Sequence, residues 1–317
     1  MKNEDIKREY TKLNNSFTKG KLIFHLGTNA GFFSEYNNMI LAMLYCLEHK
    51  IRFVLYSRDA NFGYQKGWTD YFLPFCEEEE ENSFHPKYNV RRKRSIFKML
   101  MQKINPHVFV YHLFNKNTWL TLELWEKFRN RQCEQTHYVI PELGIDGGLQ
   151  DACRVLINMT WCYNASTART IQDLIAPLQL PEHYIGFHIR SGDKYKEVKL
   201  LDVADYIKNI PPDYPVKNAF VLTDNYLIAE ELQNQLQDWQ IYTLCGTEER
   251  GYFYKDFEQR DAKFIRQSHE KLFASIDILS KSDKFIGTFS SNPGMFLGMR
   301  MDKNQSLSVD WNKWRII

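Results

Sequence analysis

Tyr184-Ile185-Gly186-Phe187-His188-Ile189-Arg190-Ser191-Gly192-Asp193-Lys194 is the stretch that decides how the rest of the chain is read. Its first half is apolar and reads as a buried strand. It then breaks into a polar turn that carries glycine, arginine, aspartate and lysine. Ligands of open α/β sheets settle in the crevice at the carboxyl ends of the strands. A strand end that offers cations beside a glycine turn suits a phosphate-bearing ligand. Arg190 supplies a bidentate fork and Lys194 a point charge. The competing reading is a strand followed by a surface turn with an Arg–Asp ion pair.

Downstream of this stretch, strands and helices alternate. A helix is expected near Leu201–Asn209, and Pro211, Pro212 and Pro215 punctuate the loop after it. Ala219–Asp224 reads as a strand, Tyr226–Gln237 as a helix and Gln240–Leu244 as a strand. A long helix follows and ends near Ser282, with Leu272, Phe273, Ile276 and Leu279 at core spacing. Lys284–Phe289 reads as the last strand. Ser290, Ser291, Asn292 and Pro293 then open a short helix, with proline in a favoured first-turn position. A helix N-terminus with serine hydroxyls binds phosphate well, although Ser291 or Asn292 also suits a plain N-cap. Regular alternation of this kind argues for a parallel, doubly wound sheet.

Upstream, Lys21–Leu26 reads as a strand, Gly27-Thr28-Asn29-Ala30-Gly31 as a turn, and Ser34–His49 as a helix. Strand, glycine turn and helix open a Rossmann-like half, but neither a Walker loop nor Gly-x-Gly-x-x-Gly is present. Ile51–Ser57 reads as a second strand. His107–Leu113 reads as a third strand, and Trp119–Arg131 as a helix. The acidic run Glu77–Glu81 and the basic run Arg91–Arg94 read as a solvated loop of opposed charges. Contact with an anionic acceptor or a membrane surface is the functional alternative. The boundary between the halves is expected between about 165 and 182, giving domains 1–170 and 171–317.

The chain has 317 residues, 44% hydrophobic, 15% aromatic and 25% charged, as in a globular protein. A net charge of +2 is too small to argue for nucleic acid or a membrane surface. The six cysteines show neither Cys-x-x-Cys nor a zinc pattern, and read as reduced core residues. The N-terminus lacks the apolar core of a signal peptide, and no apolar run is long enough to span a bilayer. A cytoplasmic location is the expectation.

His188-Ile189-Arg190-Ser191-Gly192-Asp193-Lys194 is similar to the His-x-Arg-x-x-Asp-Lys signature of GDP-fucose-dependent fucosyltransferases, the superfamily of α1,6-, α1,2- and protein O-fucosyltransferases. The chain most resembles the α1,6 and nodulation type. Phe220–Asn225, Ile278–Asp283 with Thr288–Ser291, and a block from Gly27 to about Cys76 agree with it in family order. The resemblance implies a GT-B architecture, two Rossmann-like halves facing a cleft, with the first on the acceptor side and the second binding the GDP-sugar. It implies inverting transfer of L-fucose from GDP-fucose to a glycan hydroxyl.

Within that resemblance Arg190 stabilises the departing phosphate with Ser291 assisting, Ser290 and Ser291 contact the diphosphate, and His188 contacts the guanosine. Lys194 stands beside the base. Glu197 is the candidate base, one residue short of the family spacing, and Asp193 is the fallback, which could equally orient Arg190 and Lys194. Asp224 carries over from an Asp-Asp pair. Asp277 is the nearest match to a guanine-reading aspartate. Gly27, Asn29 and Gly31 form the loop facing the sugar nucleotide. The family's adjacent Arg-Arg is Arg190-Ser191 here, so one cation is missing. No cofactor is expected beyond GDP-fucose as donor substrate, and no metal, since Asp-x-Asp is absent. Expected partners are the GDP-sugar and a glycan or glycoconjugate acceptor, with peripheral membrane contact open. A transferase using another nucleotide sugar and a catalytically silent sugar-nucleotide-binding or glycan-binding protein are the competing readings.

Overall fold

The structure is a computed structural model that describes residues 3–27, 30–81, 83–90, 105–191, 201–251 and 260–316. The chain divides into two compact units, Met1–Asn164 and Ala165–Ile316.

The first unit is built on parallel strands β1 (Lys21–His25), β2 (Arg52–Tyr56) and β3 (Thr118–Leu120), in the order β2-β1-β3. Helix α1 (Asn3–Ser16) precedes β1, and α2 (Phe32–His49) crosses from β1 to β2. The apolar residues of α2 run nearly all round it, and Ile40, Met43, Leu44 and Leu47 are all buried. That is the pattern of a helix enclosed by the fold. The Asn14 side chain on α1 pairs with both backbone groups of Phe53, donating to its carbonyl at 2.9 Å and accepting from its N–H at 2.7 Å. The aromatic residues around Gly67–Tyr71 pack into the core: Trp68 stacks on Phe72 at 4.3 Å, and both are fully buried. Asp70 fixes that turn by accepting from the N–H groups of Tyr64, Gln65, Lys66 and Gly67.

Two expectations change here. Residues 107–113 are not a strand. They lie in helix α3 (Pro106–Phe114), and the third strand is Thr118–Leu120. The Asn105 side chain caps α3 by accepting from His107 N–H at 2.9 Å, with Pro106 in the first turn. Val108 is buried, and Tyr111, three residues on, packs against Ile23, Val54 and Tyr56. The inward face is therefore helical, and the run of β-branched and aromatic residues only mimics a strand. The acidic run is also not wholly a loop. Leu55 N–H donates to Glu77 O at 3.0 Å and Glu79 N–H donates to Leu55 O at 2.8 Å, so this segment lies along β2. Glu77 pairs with Arg52. The basic run Arg91–Arg94 lies outside the described residues.

Helix α4 (Thr121–Phe128), an antiparallel hairpin of β4 (Tyr138–Ile140) and β5 (Ile145–Gly147), and α5 (Leu149–Thr160) complete this unit.

The second unit opens with α6 (Ala165–Ile175). It continues β6 (Ile185–Ile189), α7 (Val203–Ile207), β7 (Asn218–Thr223), α8 (Tyr226–Gln235), β8 (Gln240–Tyr242), α9 (Ala262–Leu279), β9 (Lys284–Gly287), α10 (Asn292–Arg300) and β10 (Ser306–Ser308). All five strands are parallel, in the order β10-β9-β6-β7-β8. The chain runs outward from β6 through β7 to β8, then returns to the other side of β6 for β9 and β10. This is the Rossmann order, and the reversal lies between β6 and β9. Every residue of β6 is buried. Ile185, Phe187 and Ile189 pack with Val203, Val221 and Ile286. Strand side chains alternate, so Gly186 and His188 face the opposite side, where Gly186 lies against Leu279 and Ser282 of the α9 end.

His85 in the first unit and His269 on α9 are both buried, and burial pushes each imidazole down to about 4. An unfolded histidine titrates near about 6.5. Both stay neutral in the folded protein, while the unfolded chain takes up their protons as the pH falls. The stability they contribute is complete above about pH 6.5 and is lost as the pH falls towards 4, by up to about 1.4 kcal/mol per unit for each histidine. Urea unfolding midpoints should fall between about pH 7 and pH 5, and His269→Gln should flatten that dependence. A midpoint flat over that range, in wild type and variant alike, would contradict this account.

Candidate functional site

The carboxyl end of β6 is where the sheet order reverses, and four of the expected site residues gather around it. His188 is the penultimate strand residue and is buried. Arg190 follows the strand. Ser291 caps α10, whose first turn stands beside the same end. Its hydroxyl accepts from Gly294 N–H at 3.2 Å and donates to Thr288 O at 2.8 Å. The same oxygen is 3.5 Å from His188 Nδ1, at the outer limit of a hydrogen bond. A Cβ on residue 294 would fall 1.9 Å from Thr288 O, so only glycine lets the helix start this close to the strand end.

Asp224 directly follows β7, the neighbour of β6 on the other side. One carboxylate oxygen accepts from Ser191 N–H at 2.7 Å and the other lies 3.9 Å from Arg190 Nε. Asp224 thus fixes the backbone that carries Arg190 and attracts its guanidinium by charge. Its own carbonyl accepts from Gly251 N–H at 2.7 Å. Asn225 caps α8, accepting from Leu227 N–H at 3.2 Å, and its amide donates to Ser191 Oγ at 3.4 Å. Arg190, His188, Asp224 and Ser291 therefore occupy one end of one sheet, where a phosphate-bearing ligand would meet a cation and a helix N-terminus.

Ser290 lies in the turn before α10, and its position depends on a residue the motifs did not reveal. Asp310 accepts from Phe289 N–H at 2.9 Å, Ser290 N–H at 3.2 Å and Ser308 Oγ–H at 2.7 Å. The local pattern Ser308-x-Asp310 hints at a turn, but only the β9–β10 pairing brings it to residues 289 and 290.

The other expected residues stand elsewhere. Asp277 forms an ion pair with Arg300 at 2.7 Å. Arg300 ends α10, nine residues beyond Ser291, or roughly 13 Å along the helix axis. Asp277 is therefore not brought to Arg190 and Ser291. Gly27 and Gly31 flank the β1–α2 turn of the first unit. Gly27 has φ +82°, and a Cβ there would lie 2.7 Å from the Ala60 side chain, so the turn itself requires glycine. Gly31 is the N-cap position of α2 and has open space around it. Asn29, Asp193, Lys194 and Glu197 lie outside the described residues.

No protein-family model and no curated protein matches this chain. Among solved structures, it is similar to NodZ α-1,6-fucosyltransferase soaked with GDP-fucose. The TM-score is 0.52 at 13% identity, covering 89% of this chain and 93% of the other. It is similar also to a variant of Arabidopsis thaliana FUT1 in complex with GDP, with TM-score 0.51 at 12% identity, covering 94% of this chain and 73% of the other. At these identities the likeness establishes the fold. The chain has the GT-B type of architecture, with two Rossmann-like units, and the resemblance first carried by short motifs extends to the fold.

Removing the Asp310 carboxylate leaves two backbone N–H groups and a hydroxyl without their acceptor. Hydrogen bonds to charged groups contribute about 1.5–3 kcal/mol each, whereas loss of a serine cap costs about 1 kcal/mol. Asp310→Ala should destabilise the protein more than Ser291→Ala, by at least about 1 kcal/mol in urea unfolding. The reverse ranking would show that the turn is held by the cap.

Proposed function

We propose that this protein is a glycosyltransferase that moves L-fucose from GDP-fucose to a glycan hydroxyl with inversion. The observation that carries the reading is Arg190 at the reversal of the sheet, beside the serine-capped start of α10, on a fold shared with fucosyltransferases. Breaking the bond from the sugar to the diphosphate puts negative charge on the β-phosphate. A cation and N–H groups already aimed at that position stabilise the transition state more than the ground state. Arg190 takes this task, with Ser290 and Ser291 holding phosphate oxygens and His188 contacting the guanosine. Asp224 orients Arg190. Glu197 or Asp193 removes the acceptor proton beside Lys194. No divalent ion is needed, because protein cations and N–H groups do its work, and the sequence has no Asp-x-Asp to hold one. The first unit takes the glycan or glycoconjugate acceptor.

One observation favours a second reading. Ser191 stands where the resembled family has a second arginine, and its N–H is occupied by Asp224. A weaker cationic site fits a sugar-nucleotide-binding protein that does not turn over.

Incubation with radiolabelled GDP-fucose in EDTA separates these readings without a known acceptor. The transferase should release fucose slowly by donor hydrolysis; donor binding without release would favour the silent protein. GDP, binding only the folded state, should stabilise it by about 2.7 kcal/mol at a hundredfold excess over Kd. UDP and CMP should raise the melting temperature far less, and equal shifts with UDP would remove the donor assignment.

Arg190→Ala should fold, by circular dichroism, and lose roughly a hundred- to a thousandfold in turnover. Arg190→Lys should rescue poorly, since an ammonium cannot make the bidentate contact. A folded Arg190→Ala protein with turnover near wild type would remove Arg190 from the mechanism.

A further inference from the structure

The first unit has a sheet reversal of its own. In the order β2-β1-β3 the chain leaves β1 for β2 on one side and comes back on the other side for β3, so the reversal lies at β1. Ligands of open α/β sheets settle at the carboxyl end of such a strand. Each of the three strands delivers a polar residue there. His25 is the last residue of β1, Asp59 stands three residues beyond the end of β2, and Thr121 directly follows β3. His25 is fixed on three sides. Its backbone N–H donates to Thr121 Oγ1 at 2.7 Å. Its Nδ1 lies 2.9 Å from Asn89 O and donates to it, because a carbonyl only accepts. Its Nε2 lies 2.7 Å from Asp59 Oδ1. The imidazole is 1% exposed, whereas the Asp59 side chain is 38% exposed. The turn that carries Asp59 is held as well: Ala60 N–H donates to Ser57 O at 2.9 Å, and Asn61 N–H to Gly27 O at 2.8 Å. Asp59 thus holds a part-exposed carboxylate in a rigid frame. Oδ1 is taken by His25, and Oδ2 has no hydrogen bond among the described residues. Beside it the Tyr56 hydroxyl is buried and has no hydrogen-bond partner. The polar network is complete around His25 and open at Asp59 and Tyr56. Open groups of this kind are rare in a folded protein and mark a place where something else binds.

The chemistry of this strand end selects the ligand. A carboxylate only accepts, so the ligand must donate. The Tyr56 phenol reports the local field: burial pushes it up first, then the charges of Asp59 and Glu81, with Arg58 acting the other way. An anionic ligand would be repelled by the same two carboxylates. An uncharged hydroxyl escapes that repulsion and forms a charge-assisted bond to the carboxylate. We propose that the carboxyl end of β1 is a sugar subsite in which Asp59, held by His25, accepts a hydrogen bond from a hydroxyl of an uncharged glycan. The choice of a sugar rests on the reading of the first unit as the acceptor side of a transferase. The open carboxylate and its field do not.

The test is ligand-observed NMR titration of the full chain with the methyl glycosides of glucose, galactose and mannose and of their uronic acids, which differ by a carboxylate at C6. At least one neutral glycoside should bind, and its uronic acid more weakly. Asp59→Asn keeps the shape of a part-exposed side chain and removes its charge. It should weaken the neutral sugar about tenfold and narrow its advantage over the uronic acid. His25→Gln loosens the carboxylate but leaves its charge, so it should weaken binding while the advantage over the uronic acid persists. Asp59→Asn carries the test if the change at the buried His25 prevents folding. No binding of any neutral glycoside, binding that Asp59→Asn leaves unchanged, or a wild type that prefers a uronic acid would overturn the proposal. Hydrolysis of GDP-fucose by the wild type is measured beside these titrations. Its absence with sugar binding intact removes the transferase reading alone; its presence with sugar binding indifferent to Asp59 removes the subsite alone.

Discussion

The second unit depends on the pairing of β6 with β7 on one side and β9 on the other. Because the chain leaves β6 towards β7 and later returns on the opposite side, the connections diverge at the carboxyl end of β6. Among the described residues, the end of β6, the residues that follow β7 and the turn that starts α10 stand there. The placement of Arg190, Asp224 and Ser291 follows from this topology and from glycine at 294, which lets the helix approach within a distance no other side chain tolerates. The buried faces of β6 secure the register. A slip of one residue would exchange the faces of His188 and Phe187.

The sequence made this end of the sheet legible because two strong signals coincide there. A continuous apolar run stops at a polar, glycine-containing turn, and a hydroxyl–proline pattern announces a helix start. Both are local in the chain. Asp310 was not legible, because its partners lie about twenty residues upstream and only strand pairing joins them. β10, Ser-Leu-Ser, is too short and polar to announce itself. The sequence of α3 misleads for a different reason: valine and aromatic residues favour strands when both sides of the element are apolar, and α3 is apolar on both sides. The Asn105-Pro106 cap carried the correct signal, outweighed by composition. The pairing of Asp277 with Arg300 was hidden because it joins the ends of two helices far apart in sequence.

The two units finish their sheets differently. At the end of β1 the polar groups are turned inward on one another. His25 N–H donates to Thr121 Oγ1 at 2.7 Å, the imidazole lies 2.9 Å from Asn89 O and 2.7 Å from Asp59, and Asn89 itself donates to Ile23 O and accepts from Thr121 N–H. His25, Asn89 and Thr121 are buried and Asp59 reaches them from the surface, and such a network stiffens a strand end. At the end of β6 the described polar contacts run through turn residues, among them Ser191, Asp224, Asn225 and Ser291. The strand end of the first unit is thus tied mainly by side chains from other elements, and that of the second by its neighbouring turns.

Under the proposed reading, Arg190 without the resembled family's second arginine changes where the phosphate charge would be met. A diphosphate facing one guanidinium, itself attracted by Asp224, needs further stabilisation from neutral donors. The first turn of α10 supplies them through its N–H groups and dipole, an effect confined to that turn and sensitive to its orientation. Asp310 holds the turn but also places a negative charge nearby, which by itself would oppose an anion. That charge is spread over three donated hydrogen bonds, from two backbone N–H groups and a serine, and so is largely neutralised where it sits. On that reading a fixed peptide dipole would stand in for the second cation. Under the proposed reading, phosphate binding would depend on the geometry of residues 288–294 more than on net charge, in a protein whose overall charge is only +2.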